Sequence, residues 1–162
     1  MKLAVISDSH DNLANMKLAV SSILKEDVET VIHCGDLCAP FMMGLLKEFK
    51  MPVHLVFGNV DGDKLRMSQQ KPENVSIHGE FADINLNNRR VAVIHYPEIA
   101  SAIALSGQYY LVCYGHNHVA KIDDVGGSLL VNPGEITDYK GKPSYAVVNL
   151  ERREAQIRFL EK

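Results

Sequence analysis

The chain has 162 residues, of which 46% are hydrophobic and 23% are charged, and its formal net charge is −3. This composition is typical of an ordinary globular protein and excludes the disordered, fibrous and repeat classes. The length is close to the usual size of one domain, so residues 1–162 are predicted to form a single domain. Because the chain contains no run of basic residues, we expect no binding to duplex nucleic acid or to an anionic membrane.

Short apolar runs alternate with helical patterns in the first half of the chain. Strands are predicted at residues 2–6, 30–33 and 53–57, and a helix opened by Pro40 at residues 41–49. Between the first two strands, apolar residues fall on one face of a further helix at Leu13, Met16, Val20, Ile23 and Leu24. Asp11 or Asn12 should cap this helix, with Asp11 favoured. The β-α-β-α-β order predicts a sheet that begins parallel.

The helical signal weakens after Gly62, and strands predominate in the second half. Strands are predicted at residues 75–77, 81–86, 91–95, 110–113, 121–125, 128–131, 144–150 and 154–160, and a helix at residues 97–105. The dipeptide Asn87-Asn88 favours a hairpin turn between the second and third of these strands. The fold class that we predict is α/β: a four-layer sandwich of two mixed sheets packed face to face, with helices on the outer sides.

The cysteines and the apolar segments indicate a cytoplasmic protein. Cys34, Cys38 and Cys113 are an odd number without the spacing of a disulfide framework, so we expect reduced thiols that pack as small hydrophobic residues. A metal pair at Cys34 and Cys38 is the less favoured alternative, because no second cysteine pair completes a thiolate site. The apolar run at residues 3–6 is too short for a signal peptide, and no later segment approaches the roughly 20 residues that span a bilayer.

Side chains that bind cations follow the predicted strands. They are Asp8 and His10, Asp36, Asn59 and Asp61, His95, and His116 and His118. Ligands collect at the carboxyl ends of strands in open α/β sheets, so these residues should converge on one crevice. Residues two apart on an extended chain point the same way, and the pairs 8 with 10 and 116 with 118 should each reach one centre. Carboxylate, amide and imidazole ligands together suit Mn, Fe, Ni or Zn better than Ca or Mg alone.

Glycines flank several of these residues. Gly35, Gly58 and Gly115 lie next to Asp36, Asn59 and His116. Glycine permits tight turns and a close approach of the backbone to an ion or a phosphate. This placement supports a ligand site at the strand ends.

The ordered motifs resemble the calcineurin-like metallophosphoesterases. They are Asp8-x-His10, Gly35-Asp36, Gly58-Asn59-x-Asp61, His95 and Gly115-His116-x-His118. Segments 131–134 and 143–146 make the compact bacterial and archaeal phosphodiesterase branch the more similar one; this branch also includes the retromer subunit of the same fold. The resemblance spans nearly the whole chain, and five motifs in order are far more specific than any one alone.

The resemblance implies a site for two divalent metal ions, with Mn favoured and Ni, Fe, Zn or Mg as alternatives. It assigns Asp8, His10, Asp36 and His118 to one ion and Asp36, Asn59, His95 and His116 to the other. Asp36 would bridge the ions, and Asp36, Asn59, Asp61 and His116 are the expected catalytic residues. The implied reaction is hydrolysis of a phosphodiester by a water or hydroxide that bridges the metals. Because neutral histidine is the ligating form, activity should fall as pH drops through the imidazole range.

The sequence departs from the family pattern at three positions. Val60 stands where many members have a histidine that acts as general acid, and valine cannot donate a proton. A water held by Asp61 could replace it, or the leaving group could be acidic enough to need none, which favours a nucleotide-like diester. Glu135 stands where a small hydroxyl residue is usual, and a negative charge there would discourage a highly anionic substrate. Tyr96 replaces a frequent glycine and could shape the substrate pocket by stacking.

Alternative interpretations stay open at the level of single residues and of function. Asp8 could cap a helix, and Asp36, Asn59 and Asp61 could be turn residues. His33 and His54 are expected to be core or edge histidines, and His78 lies in a turn without a role. A binding scaffold that keeps the fold and lacks strong activity is the alternative function, although every ligand position is filled. The substrate should be a small phosphodiester, and a homo-oligomer is possible.

Overall fold

The structure, a computed structural model, describes residues 1–161 and contains four α-helices and eleven strands within them. The helices are α1 (Leu13–Ile23), α2 (Met43–Leu46), α3 (Lys64–Gln70) and α4 (Pro97–Leu105). The strands are β1 (Lys2–Ile6), β2 (Thr30–His33), β3 (Val53–Leu55), β4 (Val75–Ile77), β5 (Phe81–Leu86), β6 (Arg89–Ile94), β7 (Leu111–Cys113), β8 (Lys121–Val125), β9 (Ser128–Asn132), β10 (Ser144–Asn149) and β11 (Glu154–Phe159). No helix of residues 1–161 is both long and apolar enough to cross a membrane.

The strands form two mixed sheets. The first has the order β11-β10-β1-β2-β3-β4, and the second has the order β5-β6-β7-β9-β8. Strands β1 to β3 pair in parallel, as the sequence predicts, and β4 extends this parallel set. Strand β10 pairs antiparallel with both β1 and β11. In the second sheet β6, β7 and β9 are parallel neighbours. The predicted hairpin joins β5 to β6 through Asn87 and Asn88, which both have positive φ.

Strand β1 shows how the layers are built. Its successive side chains point to opposite faces, so Leu3 and Val5 pack toward the second sheet while Ala4 and Ile6 pack toward helices α1 to α3. On the outer face of the second sheet, Ala100 of α4 contributes to a separate apolar cluster with residues of β6, β7 and β9. The result is the predicted four-layer α/β sandwich, with two sheets between outer helices.

Helix α1 forms where the sequence predicts it, but its N-cap is not the favoured residue. Its N-cap is Asn12, whose side chain accepts a hydrogen bond of 3.0 Å from the backbone N–H of Asn15. The prediction of Asp11 was wrong, because Asp11 Oδ1 instead accepts from the backbone N–H of Ala39 at 2.9 Å. Asp11 therefore ties the loop after β1 to the loop after β2.

Two helical predictions needed correction. A short 3₁₀ turn at Pro40–Met42 leads into α2, which ends at Leu46 and not at residue 49. The Asn74 side-chain amide donates to the carbonyls of Leu46 and Phe49, so a residue from a distant loop replaces further helical hydrogen bonds. Helix α3 was not predicted. Met67 is its single buried residue, so the apolar periodicity of this segment is weak.

Candidate metal centre

The parallel strands bring the predicted site residues to one edge of the sandwich. The chain leaves β1, β2 and β3 at the same end of the first sheet, because these strands run in the same direction. Strands β6 and β7 do likewise in the second sheet. The loops that follow these five strands carry Asp8, His10, Asp36, Asn59, Asp61, His95, His116 and His118. The structure therefore shows the convergence of strand ends that the order of elements predicts.

Asp8, His10 and His118 form the first of two groups that could hold an ion. One potential ligand atom from each lies within 4.8 Å of the others. Asp8 Oδ1 lies 3.7 Å from His10 Nε2 and 3.4 Å from His118 Nε2, and the two imidazole rings stack with centroids 5.0 Å apart. Asp8 is fully buried, whereas both histidines are partly exposed. The three side chains thus surround one position beneath the surface.

Asp36, His95 and His116 form the second group, with ligand atoms again within 4.8 Å of one another. Asp36 Oδ2 lies 3.2 Å from His95 Nε2. Asn59 joins this group, since its Oδ1 is 3.1 Å from His95 Nε2 and 2.9 Å from His116 Nδ1. The amide oxygen and the carboxylate thus approach the same histidine.

Asp36 lies between the two groups. Its Oδ2 is 3.6 Å from His10 Nε2 of the first group and 3.2 Å from His95 Nε2 of the second. Its other oxygen, Oδ1, accepts a hydrogen bond of 3.0 Å from the backbone N–H of Val60. A carboxylate in this position can contact two cations at once, as the bridging assignment requires.

Five of these residues have left-handed backbone conformations, with positive φ at Asp8, His10, Asp36, His116 and His118. Such a conformation costs about 1 kcal/mol or more for a residue other than glycine, and it persists where the surroundings hold it. Asp8 and His10 reach the same group as expected, although their backbone is not extended. The expectation from spacing was wrong for residues 116 and 118, which the assignment implied by the resemblance keeps apart. His116 lies with the second group and His118 with the first, so these residues, two apart in sequence, do not reach one centre.

The glycines beside the ligands are required by close packing. A Cβ atom on Gly58 would lie 2.1 Å from Asp36 Oδ1. A Cβ atom on Gly115 would lie 2.0 Å from Ser7 Oγ and 2.6 Å from Asp8 Oδ2. Any side chain at either position would push a carboxylate out of place, which gives a physical reason for the two glycines noted in the sequence.

Contacts at Nδ1 orient the rings of three of the histidines. His95 Nδ1 lies 2.8 Å from the backbone oxygen of Cys34, which can only accept, so Nδ1 carries a proton and, in the neutral ring, Nε2 holds the lone pair. His118 Nδ1 contacts Glu135, and His10 Nδ1 lies 3.7 Å from Cys38 Sγ. In each case Nε2 points toward the aspartates. Bonding of the outer ring nitrogen in this way is the usual arrangement of metal-binding histidines.

The ionisable groups influence each other strongly. The neighbouring carboxylate of Asp8 is the main cause that raises the pKa of His10 above its ordinary value. Burial acts to lower the pKa of His95, but hydrogen bonding to Asp36 outweighs it and the pKa is raised. Burial acts to raise the pKa of Asp36, yet its hydrogen bonds with His95 and the Val60 N–H hold that pKa below its usual range. The shifts therefore favour the charged forms of Asp36 and of both histidines, which stabilise one another.

Asp61 supports the loops that carry the two groups. Its Oδ2 accepts hydrogen bonds from the backbone N–H groups of Asp36 at 2.9 Å and Gly58 at 2.7 Å. Its Oδ1 accepts from the N–H of Cys38 at 2.7 Å. Asp61 is 7% exposed, so these three bonds occupy a buried carboxylate. The geometry favours the turn interpretation of this residue over the holding of a catalytic water.

Aromatic and apolar side chains surround the centre. Tyr96 packs against both His95 and His116, with ring centroids 5.3 and 5.4 Å apart. Tyr139 is 79% exposed, and its ring centroid is 6.2 Å from that of His10. Val60 is 45% exposed, so the position without the family's histidine faces solvent. The rim therefore offers flat aromatic surfaces beside each of the two groups.

His33 is a core histidine, as predicted, but its link between the loops of the centre was not predicted. This residue is fully buried on β2; its Nδ1 accepts a hydrogen bond from the N–H of Gly35 at 3.2 Å, and Nε2 lies 3.2 Å from Ser9 Oγ. Burial lowers the pKa of His33 to about 4. It links the loop after β1 to the start of the loop after β2. No sequence signal distinguishes a core histidine that links two loops from any other core histidine.

The donor set fits divalent cations. Among the side chains of residues 1–161, Asp8 Oδ1 and His10 Nε2 are buried polar atoms that have no hydrogen-bond partner. Leaving such atoms unpaired is costly, and both belong to the first group. Carboxylate, amide oxygen and imidazole are the donors that Mn, Fe, Ni and Zn accept. Residues 1–161 thus contain two adjacent positions suited to cations, each surrounded by at least three donors.

A family model described as the calcineurin-like phosphoesterase superfamily domain matches residues 1–153, so the chain belongs to this family of metal-dependent phosphoester hydrolases. It is 29% identical to a phosphodiesterase of Methanocaldococcus jannaschii over 99% of this chain and 100% of that protein. It is also 27% identical to a probable metallophosphoesterase, YsnB, of Bacillus subtilis, over 99% of this chain and 91% of that protein.

Solved structures agree with the family assignment. A structure of an archaeal phosphodiesterase has a TM-score of 0.91 at 29% identity, and the alignment covers 99% of this chain and 100% of the other. The zinc complex of Vps29 from Entamoeba histolytica has a TM-score of 0.69 at 20% identity, with 97% and 90% of the two chains covered. This second similarity shows that the fold is shared.

Proposed function

We propose that the protein is a phosphodiesterase that uses two divalent cations held by Asp8, His10, Asp36, Asn59, His95, His116 and His118. The observation that carries the proposal is the position of Asp36, whose Oδ2 lies 3.6 Å from His10 in one group of donors and 3.2 Å from His95 in the other. When bound, such a pair of cations activates water and neutralises the charge that develops on a phosphate.

The residues of this chain have distinct tasks in that reaction. Asp36 and Asp8 supply the negative charge that attracts the cations, and burial of Asp8 in particular limits screening by water. The four histidines are needed in their neutral form, with Nε2 as the ligand atom in His10, His95 and His118 and Nδ1 in His116. Asn59 contributes a neutral oxygen between His95 and His116. No side-chain nucleophile is required.

A diester with an acidic leaving group is the substrate that we propose. Val60 cannot protonate a leaving group, and the Asp61 carboxylate is bonded to three backbone amides. An acidic leaving alcohol, such as an aryl or nucleotide-like group, reduces this need. Tyr96 and Tyr139 at the rim offer surfaces on which an aromatic arm can stack. The relative from M. jannaschii that is named a phosphodiesterase supports the same choice.

We further propose Mn²⁺ as the native ion, a cytoplasmic location and a single functional domain over residues 1–162. The mixed oxygen and nitrogen donors support manganese, although nickel, iron, zinc and magnesium share parts of this preference. The two buried cysteines, Cys34 and Cys113, are free thiols, which is consistent with a reducing compartment.

A reconstitution assay tests the proposal. Purified protein is stripped with a chelator, reloaded with Mn²⁺, Ni²⁺, Zn²⁺ or Mg²⁺, and assayed on bis(4-nitrophenyl) phosphate and 4-nitrophenyl phosphate, which share one leaving group. We expect hydrolysis that returns with metal and a higher kcat/KM for the diester. Asp36→Asn should lower kcat/KM by more than about 100-fold, since it weakens a contact to both cations.

Asp27→Asn is the matched control, because the Asp27 side chain is 98% exposed and lies outside the centre. This variant should keep the wild-type kcat/KM. Failure of every metal to restore hydrolysis of either ester would favour the scaffold alternative. Full activity of Asp36→Asn would disprove the assignment of Asp36 as the shared ligand.

A further inference from the structure

Glu135 is a buried carboxylate behind the first group of donors. It is 1% exposed and follows Gly134 in the loop between β9 and β10. Oε2 lies 2.5 Å from His118 Nδ1. Oε1 accepts hydrogen bonds from the backbone N–H groups of Lys140 at 2.7 Å and Gly141 at 2.6 Å. Both oxygens are therefore bonded within the protein, and their bonds point to His118 and to the chain that follows.

The contact with Glu135 determines which nitrogen of His118 can bind a cation. An ionised carboxylate can only accept a hydrogen bond, so His118 Nδ1 must be the donor. The lone pair of the neutral ring is then on Nε2, which lies 3.4 Å from Asp8 Oδ1 in the first group. A carboxylate on the outer nitrogen of a metal-binding histidine fixes the tautomer, orients the ring and raises its basicity.

The second oxygen of Glu135 keeps the carboxylate in place. Two backbone N–H groups converge on Oε1, and these bonds prevent rotation of the carboxylate away from His118. The same bonds fold residues 136–141 back against Glu135. This loop carries Tyr139, whose ring centroid lies 6.4 Å from that of His118. One buried side chain thus holds a ligand and the adjoining part of the rim.

We propose that Glu135 is a positioning residue of the metal centre, which holds His118 in the tautomer and orientation required to bind the first cation. This inference rests on the proposed two-cation function. It differs from the expectation that Glu135 repels anionic substrates, because the carboxylate is directed at His118 and at two amides. The charge of Glu135 then acts on the ligand and not on the substrate.

Replacement of Glu135 by glutamine distinguishes a role in orienting His118 from a role in filling space. Glutamine has nearly the same shape, but its side-chain amide has one oxygen and one NH₂ group. Two backbone N–H donors face Oε1 and a single ring nitrogen faces Oε2, so the amide oxygen should point to the backbone and the NH₂ group to His118. The ring must then accept at Nδ1 and carry its proton on Nε2, the tautomer that cannot bind a cation through Nε2.

Serine at position 135 changes the volume of the side chain but does not select a tautomer of His118. It leaves space beside His118 and imposes neither tautomer. A role in positioning therefore predicts a larger loss of metal affinity in Glu135→Gln than in Glu135→Ser. A role confined to filling space predicts the reverse, because glutamine preserves the volume and serine does not.

Calorimetric titration of the chelator-stripped protein with MnCl₂ measures the two affinities without any assay of activity. For Glu135→Gln we expect about 10- to 100-fold weaker binding of one of the two cations, with the second retained. Glu26→Gln is the control, since Glu26 also accepts a side-chain hydrogen bond, from the hydroxyl of Tyr145 at 3.2 Å, on another part of the molecule. Wild-type affinity in Glu135→Gln, or a larger loss in Glu135→Ser, would overturn the inference.

Nitrogen-15 NMR of the imidazole rings in the zinc-loaded protein gives a second measurement, which applies even if a variant folds poorly. Wild-type His118 should show a proton on Nδ1 and none on Nε2. A proton on Nε2 would overturn the assignment of Glu135. Absence of any metal binding by the wild-type protein would instead overturn the proposed function, so the two failures are distinguishable.

Discussion

Val60 contributes to the centre through its backbone and leaves its side chain at the surface. Its N–H group donates to Asp36 Oδ1 at 3.0 Å, and its side chain is 45% exposed. The backbone bond does not depend on the identity of the side chain. Position 60 can therefore accept another residue without disturbing the carboxylate between the two groups of donors.

Val60→His should restore a general acid. We expect kcat/KM for an alkyl diester with a poor leaving group to rise by about 10-fold or more, because proton donation to the leaving oxygen contributes roughly 10²- to 10⁴-fold in favourable cases. Hydrolysis of a nitrophenyl diester should change little, since its leaving group departs as an anion. Parallel kinetics with both esters measure the difference.

Leu65→His is the control for the added imidazole, because Leu65 is 71% exposed and lies on α3 outside the donor groups. It should affect neither ester. If Val60→His accelerates both esters equally, or neither, the missing side chain does not explain the preference for acidic leaving groups.

At the scale of elements, Asp61 connects loops that follow two different strands. It accepts hydrogen bonds from Asp36 and Cys38, in the loop after β2, and from Gly58, in the loop after β3. The geometry between Asp36 and Asn59 thus depends on a side chain that is bonded to the backbone of the loops. We therefore expect Asp61 to act on the stability of these loops.

Asp61→Asn should destabilise the protein even without metal. The NH₂ group of asparagine cannot accept a hydrogen bond, so at least one buried backbone N–H loses its partner, at a cost of roughly 1–3 kcal/mol. Urea unfolding in the presence of chelator measures this change. Asp63→Asn is the control, because Asp63 caps α3 and asparagine is an equally good N-cap. Unchanged stability of Asp61→Asn together with lost turnover would instead support a catalytic role.

The strands could be predicted because apolar runs and turn residues report directly on burial. Residues 2–6 and 30–33 are predicted with the bounds that the structure has, and their parallel order follows from the helix between them. Helices α2 and α3 were less accessible to prediction. One is shortened by the distant side chain of Asn74, and the other buries a single residue. Tertiary contacts of these kinds leave no local pattern.

The site could be predicted as a set of residues but not as a geometry. Strand order alone brings Asp8, Asp36 and Asn59 to one edge. The separation of His116 from His118 depends on left-handed backbone conformations that residue spacing does not reveal. The partner of Glu135 was equally hidden, because 17 positions separate it from His118 in the sequence. Only the packed loops show which carboxylate faces which ring.

At the scale of the whole molecule, the stability of the metal-free protein depends on the protonation of His10, His33 and His95. The raised pKa values of His10 and His95 mean that both rings hold a proton more tightly in the folded chain than in the unfolded chain. Their contribution to stability is fully present below the pKa of an unfolded histidine, and it is lost as pH rises through the folded pKa. His33 has the opposite sign, because its lowered pKa gives stability that is lost as pH falls from the unfolded value toward about 4.

The melting temperature of the metal-loaded protein should therefore exceed that of the chelated protein by an amount that grows with pH. Cations bind only neutral rings, so each protonated histidine must lose its proton when a cation binds. Below the folded pKa of that histidine, a rise of one pH unit therefore strengthens cation binding by up to about 1.4 kcal/mol. The contributions of His10 and His95 to the stability of the metal-free protein decline over the same range, while that of His33 is common to both states. Melting curves with Mn²⁺ or chelator at several values between pH 6 and pH 8 measure the difference. A difference that is constant, or that narrows as pH rises, would mean that these histidines do not bind the ions.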